Sequence, residues 1–250
     1  MFSTRLFGAV LISLLPGLLA GAAAGAPARA ESPVAHSGQE QPMDVGSFTL
    51  FVHDQRAGRE QFSMQRITLP SGSSLELRAE SAMGDRRAAV RLETDSVGSP
   101  LRYSVEERTG AAVTLRLGGQ RVRGRFTTLS RSVTGESARE YLLEPGAMVL
   151  EEDGVLQYAL IIRRPLQQAG DSVSIPVLTP IANRQGVVRL ALMTTTDTVI
   201  IAGSRRIARR WRMVTGGGEA RFIWADSIGR LLRVQIPARG FDALRDDAPP

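Results

Sequence analysis

The chain has 250 residues, of which 43% are apolar, 22% charged and 5% aromatic, with no cysteine and a formal net charge of +6. That length is ample for a real core, and the scarcity of aromatics makes the core aliphatic. The missing thiol excludes disulfides, thiolate nucleophiles, cysteine-ligated zinc and an acylated N-terminal cysteine. Lysine is also absent, so all 31 cations are arginine. The high isoelectric point therefore reflects residue choice more than a basic surface.

Residues 1–30 read as a secretory signal. Arg5 supplies the positive start, Leu6 to Leu19 the apolar stretch, and Ala28-Arg29-Ala30 a small-x-small cleavage site before Glu31. An uncleaved membrane anchor is the alternative, disfavoured by Pro16 and the Gly and Ala residues after it. Cleavage places the protein in the periplasm or outside the cell, in contact with membrane only through the signal before it is removed. It also takes away Arg5 and Arg29 and no acid. The remaining cationic excess is too small to point to nucleic-acid partners. Residues 31–45 are polar, hold two prolines and lack apolar periodicity, so they read as a flexible leader.

From Gly46 the apolar period is two. Phe48, Leu50 and Val52 alternate with Thr49, Phe51 and His53, and Gln55 to Gly58 is read as the turn. Glu60 to Leu69 returns with Phe62 and Met64 on one face, and Pro70 to Ser73 breaks the chain again. Leu75, Leu77 and Ala79 alternate with charged residues, as do Val90 and Leu92, and then Leu101, Tyr103 and Val105. Val113, Leu115, Leu117, Val122 and Phe126 continue the series, with one more short strand near Tyr141. Short strands at near-regular spacing with Gly-rich turns predict an antiparallel meander wetted on one side.

At Asp153 to Arg164 the period changes. Val155, Leu156, Ala159 and Leu160 share one helical face and Pro165 ends the run, so one helix of about three turns is predicted. A buried strand is the alternative, since short apolar runs are ambiguous. Strands resume from Ser172 and include Leu190 and Leu192. A closing hairpin spans Arg205 to Pro237 and holds both tryptophans, Trp211 and Trp224, as structural anchors. Ile207, Trp211 and Met213 share a face there, Arg206, Arg210 and Arg212 point the other way, and Asp226 and Gly229 belong to turn chemistry. The tail at 241–250, acidic and proline-ended, reads as frayed. The fold expected is a single all-β domain over residues 46–240 with one central helix.

No catalytic constellation, metal site or cofactor motif emerges, and an enzyme is not expected. His36 and His53 are the only histidines, and neither is spaced with a nucleophile and an orienting acid. Gly135-Glu136-Ser137-Ala138-Arg139 fails as a nucleophile elbow at its last position. The acid pairs Glu106-Glu107 and Glu151-Glu152 are adjacent in sequence, so on strands their members face opposite ways. Gly216 to Gly218 lies between strands and is a turn, not a phosphate loop. Two arginine rows, Arg121, Arg123 and Arg125 on one strand and Arg206, Arg210 and Arg212 on another, are candidate anion sites. The alternative is a solvated sheet face in a chain that must use arginine for every cation.

One set of features carries a family resemblance. An exported start precedes a meander that opens at Gln55 to Arg59, a helix near the middle and a closing hairpin. That hairpin carries Trp211 and then Trp224-x-Asp226-x-x-Gly229-x-Leu231. The chain resembles uncharacterised secreted bacterial domain-of-unknown-function families, similar in architecture to lipoprotein carriers of the LolA/LolB type. It departs from lipoprotein-anchored members in having no cysteine to acylate. The resemblance implies a curved antiparallel half-barrel or open barrel with helical cover, and a ligand-holding or envelope role. Two functions stay open. One is binding of an apolar or lipid-like molecule against Leu75, Leu77, Val90, Leu92, Leu115, Leu190 and Leu192. The other is a structural or interaction role with an envelope protein, the helix plugging the sheet.

Overall fold

The computed structural model describes residues 39–70, 72–166 and 172–249. The expected signal and the first part of the leader lie outside the described residues. The chain folds as one meander, then a helix, then a second meander. The first comprises β1 (Gln39–Val52), β2 (Gln55–Leu69), β3 (Gly72–Met83), β4 (Arg86–Asp95), β5 (Pro100–Thr109), β6 (Ala112–Val122), β7 (Arg125–Ser132) and β8 (Gly135–Leu142). A short β9 (Met148–Val149) leads to α1 (Gln157–Leu166). The second comprises β10 (Ser172–Thr179), β11 (Arg184–Ile201), β12 (Ser204–Val214), β13 (Ala220–Ala225) and β14 (Leu231–Ile236), then a 3-10 turn (Pro237–Arg239) and β15 (Phe241–Arg245).

All the strands belong to one 15-stranded sheet in the order β8-β7-β6-β5-β4-β3-β2-β1-β15-β14-β13-β12-β11-β10-β9. Every pairing is antiparallel except β9 with β10, and the sheet is not closed between its end strands β8 and β9. The fold is therefore all-β, an open half-barrel with one central helix. The Tyr141 hydroxyl of β8 donates to Asn183 Oδ1, in the turn after β10, at 2.8 Å. That bond links the two ends of the sheet by side chains where no backbone ladder does.

The helix packs into the concave side. Tyr158 to Ile162 are five consecutive buried residues, joined by Val155 and Leu156 in a core cluster that draws on strands from both meanders. A one-faced helix was expected, but Tyr158 to Ile162 are buried on every side because the sheet wraps them, and of the described side chains only Arg163 and Arg164 in the last turn are half-buried. It begins at Gln157 rather than Asp153, since Asp153 lies in a bend and the turn that enters the helix is at Val155 and Leu156. Pro165 lies within its last turn, where an absent N–H breaks little of the ladder.

Both chain ends depart from expectation in the same way. The leader is already paired from Gln39, opposite Thr68 of β2. The tail is β15, a strand hydrogen-bonded to β1 on one side and β14 on the other. It is the seam that joins the two meanders. Polar composition misled here because Asp44 of the leader and Arg245 of the tail neutralise each other in the interior.

Local register corrects other expectations. The first turn falls at His53 and Asp54, both at positive φ, and not at Gln55 to Gly58. His53 is thus a turn residue whose N–H donates to the Gly240 carbonyl. Trp211 and Trp224 sit on opposite faces, because Trp211 lies opposite Ile223 and Trp224 opposite Arg210. Trp211 joins the main core. Trp224 belongs to a second buried cluster with Val199, Ile201, Ala208 and Leu232. Register shifts in β11 between Leu192 and Asp197 change which face of the β11–β12 hairpin is buried. Ile207, expected beside Trp211, is consequently exposed.

Candidate functional site

The helix leaves a cavity of about 480 Å³ between its entry turn and strands β1 to β5. Leu50 of β1, Leu77 and Ala79 of β3, Val90 and Leu92 of β4 and Val105 of β5 wall it with aliphatic carbon. These residues meet there because they are the inward positions of neighbouring strands in register. Leu77 pairs with Leu92, Ala79 with Val90, and Val90 with Val105. Leu156 contributes from the lead-in to α1, and Ile236 and Phe241 from the strands beyond β1. The exposed residues Arg86, Arg87 and Asp153 mark the mouth.

Buried acids break the apolar lining. Glu60, 2% exposed, accepts the backbone N–H groups of Leu156 at 2.8 Å and Val155 at 3.1 Å. It therefore caps the start of α1 from a neighbouring strand, satisfying donors that the helix cannot satisfy itself. Burial outweighs those two hydrogen bonds and lifts its pKa to about 7.

Glu151, 6% exposed, sits in the segment between β9 and α1. That segment is tied down at four points. Leu150 N–H donates to the Leu178 carbonyl and Thr179 Oγ1 to the Leu150 carbonyl. Glu151 N–H donates to Gln157 Oε1, and Ile181 N–H to Glu151 Oε1 at 3.0 Å. The Tyr103 hydroxyl also points at Oε1, at 3.3 Å. Burial, with the nearby charges of Glu107 and Glu152, raises the Glu151 pKa to about 7 against the lowering effect of Ile181 and Tyr103. The same burial, and the acid beside it, push the Tyr103 phenol well above its ordinary value.

Arg86 and Arg239 at the mouth have partners, while Arg87 has no ion pair among the described residues. Arg86 lies 3.6 Å from Asp153 and 4.0 Å from Glu107. Arg239 bonds Glu219 at 2.7 Å and Glu152 at 3.1 Å. Neither Glu60 nor Glu151 has an ion-pair partner among the described residues. Also among the described residues, no group of three or more His, Cys, Asp or Glu could hold a metal ion.

Of the aliphatic residues singled out from sequence, Leu77, Val90 and Leu92 line the cavity. Leu75 and Leu190 do not; they are buried in the main core. Leu115 and Leu192 pack against that core, partly buried, and are not in the lining either. Alternation identifies the inward face of each strand, but it does not say which inward positions the helix covers. The row Arg121, Arg123 and Arg125 is no row. Arg123 and Gly124 form the β6–β7 turn at positive φ, and Arg121 and Arg125 face opposite ways across it. Arg125 pairs with Glu140 at 2.8 Å. Arg206 and Arg212 are exposed, and Arg210 pairs with Asp197 at 3.2 Å. Asp226 holds its own turn by accepting Ile228 and Arg230 N–H groups, and Gly229 follows at φ 86°. Sequence reading passed over Glu60 and set Glu151 aside with Glu152 as an adjacent strand pair, although neither Glu151 nor Glu152 lies on a strand. For Glu60 a signal was present, because period two places it on the face of Phe62 and Met64. For Glu151 there was none, since its burial depends on the segment packed around it.

No family model matches the chain, and no curated protein matches it. Among solved structures the chain is similar to a beta-barrel-like protein of domain of unknown function DUF1849 from Brucella abortus. The identity is 8%, the TM-score 0.48, and the match covers 82% of this chain and 95% of that chain.

Proposed function

We propose that this chain is an exported, non-catalytic binding protein that holds an apolar, lipid-like molecule in the half-barrel beside α1. The observation that carries the reading is the cavity of about 480 Å³ with aliphatic walls. That volume falls within the few hundred to about 1,000 Å³ of typical small-molecule sites, which combine apolar walls with a few placed polar groups. The signal-like residues 1–30 and the likeness to LolA/LolB-type carriers support export and an envelope role. The second reading, a structural envelope protein, draws support from the helix, which fills most of the concave side with its own buried side chains.

Lipid extraction and mass spectrometry of the purified protein separate the two, together with titration of a neutral apolar fluorophore, N-phenyl-1-naphthylamine. Binding should change little with salt, since burial rather than charge drives it. Ala79→Phe, which fills the cavity from its wall, should abolish uptake while the fold persists. A protein that carries no lipid and takes up no fluorophore would favour the structural reading.

A further inference from the structure

We infer that the ligand of this cavity is a cationic amphiphile, an apolar chain ending in a protonated amine, with the head seated against the carboxylate of Glu151. This rests on the apolar-cavity reading above and names the chemistry of the head. Both hydrogen bonds to the Glu151 carboxyl fall on Oε1, from Ile181 N–H and the Tyr103 hydroxyl. Its Oε2 has no partner among the described residues, although the residue is buried and lines the cavity. Glu60 differs, since both of its oxygens are occupied by the start of α1. Oε2 of Glu151 is not one of the side-chain atoms sealed from solvent without a partner, so it opens on the cavity, where water or the head of a ligand donates to it.

The charged groups that face the site decide the sign of the missing partner. Glu60 from β2 and Glu107 from β5 are acids, as are Glu152 and Asp153 in the segment of Glu151 itself. Opposing them are Arg86 and Arg87 from β4 and Arg239 from the 3-10 turn. Arg86 and Arg239 are committed to Asp153, Glu107, Glu152 and Glu219. Arg184 is likewise bonded to Glu152 at 2.7 Å, and Arg87 is exposed at the mouth without an ion pair among the described residues. The charges felt at Glu151 itself are those of Glu107 and Glu152, so the field at its carboxyl is negative. A carboxylate-headed ligand would add another anion to it, whereas an ammonium would supply the absent cation and up to three donors.

The pH dependence follows from the same contact. Burial and neighbouring acids raise the Glu151 carboxyl to a pKa of about 7. A bound cation favours the ionised form, so amine binding strengthens as pH rises through 7 and expels a proton.

The test compares dodecylamine, dodecanol and dodecanoate as displacers of N-phenyl-1-naphthylamine from the full chain at pH 5 and pH 8. At pH 8 dodecylamine should displace the probe at about tenfold lower concentration than dodecanol, as one charge-assisted hydrogen bond implies. At pH 5 that advantage should shrink. Glu151→Gln should remove it at pH 8 while dodecanol binding persists. The two-pH comparison on the unaltered protein stands even if that variant folds poorly. Equal displacement by all three compounds at pH 8, or preference for dodecanoate, overturns the cationic head and leaves the apolar cavity standing. Displacement by none of them overturns both.

Discussion

Arg245, in a tail that composition marks as frayed, is predicted to be among the most costly side chains in the protein to remove. Its guanidinium is fully buried and makes hydrogen bonds from all three nitrogens. Nη2 reaches Asp44 Oδ1 at 2.7 Å and Nη1 reaches Asp44 Oδ2 at 2.8 Å, a bidentate pair. Nη2 also donates to the Val45 carbonyl at 2.9 Å, Nη1 to that of Leu231 at 3.3 Å, and Nε to that of Asp247 at 3.0 Å. The group lies over the Phe62 ring. Arg245→Met keeps the aliphatic stem and strands the Asp44 carboxylate in the interior. Breaking a buried pair in this way costs about 3–5 kcal/mol, against a typical domain stability of about 5–15 kcal/mol. Urea unfolding followed by circular dichroism measures it. The double variant Asp44→Leu/Arg245→Met should lose less than Arg245→Met alone, because no bare charge remains. Arg59→Ala is the control. Its bond to Asp246 at 3.1 Å involves a half-exposed guanidinium, and its loss should cost under about 1 kcal/mol. A loss below about 1 kcal/mol in Arg245→Met, or a double variant no better than the single, would refute the reasoning.

Glu60 makes a pH prediction. Its folded pKa of about 7 exceeds the ordinary 4.5, so the folded state retains a proton that the unfolded chain releases. The stability tied to that proton is complete below about pH 4.5 and is lost as pH rises through 7, by roughly 3 kcal/mol. Glu60→Gln should therefore gain on the wild type between pH 4.5 and pH 8 in paired urea melts; a constant difference would defeat this. Trp224→Ala should cost about 3–5 kcal/mol by emptying the second cluster and removing the indole bond to Asp197 at 2.9 Å. An unchanged thermal melt would instead make Trp224 a contact residue. Gly58→Ala should destabilise the β2–β3 pairing by about 1–3 kcal/mol, since its new Cβ would meet the Ala82 carbonyl oxygen at 2.1 Å. Gly186→Ala, with nothing within 4 Å, should be mild in the same melts.

The sequence alone determined the local geometry. Alternation at Phe48 and Leu50, at Leu75 and Leu77 and at Val90 and Leu92 specifies strands with one inward face, and the change of period after Asp153 favours one helix there over a buried strand. Both patterns are periodic in the chain, because side-chain direction is dictated by backbone geometry within a few residues. Part of the cavity wall, at Leu77, Val90 and Leu92, was legible for the same reason. Only the tertiary structure decided what depends on residues far apart in the chain. Arg245 is a surface cation by composition and the centre of a seam only because Asp44, some 200 residues earlier, lies beside it. Trp224 alternates correctly yet belongs to the other face, since bulges in β11 choose which side of the hairpin is covered. Glu60 and Glu151 are ordinary acids until a helix start and its lead-in segment close over them. Charge tolerates burial only where a partner or a proton is supplied, and that supply is a property of the assembled fold.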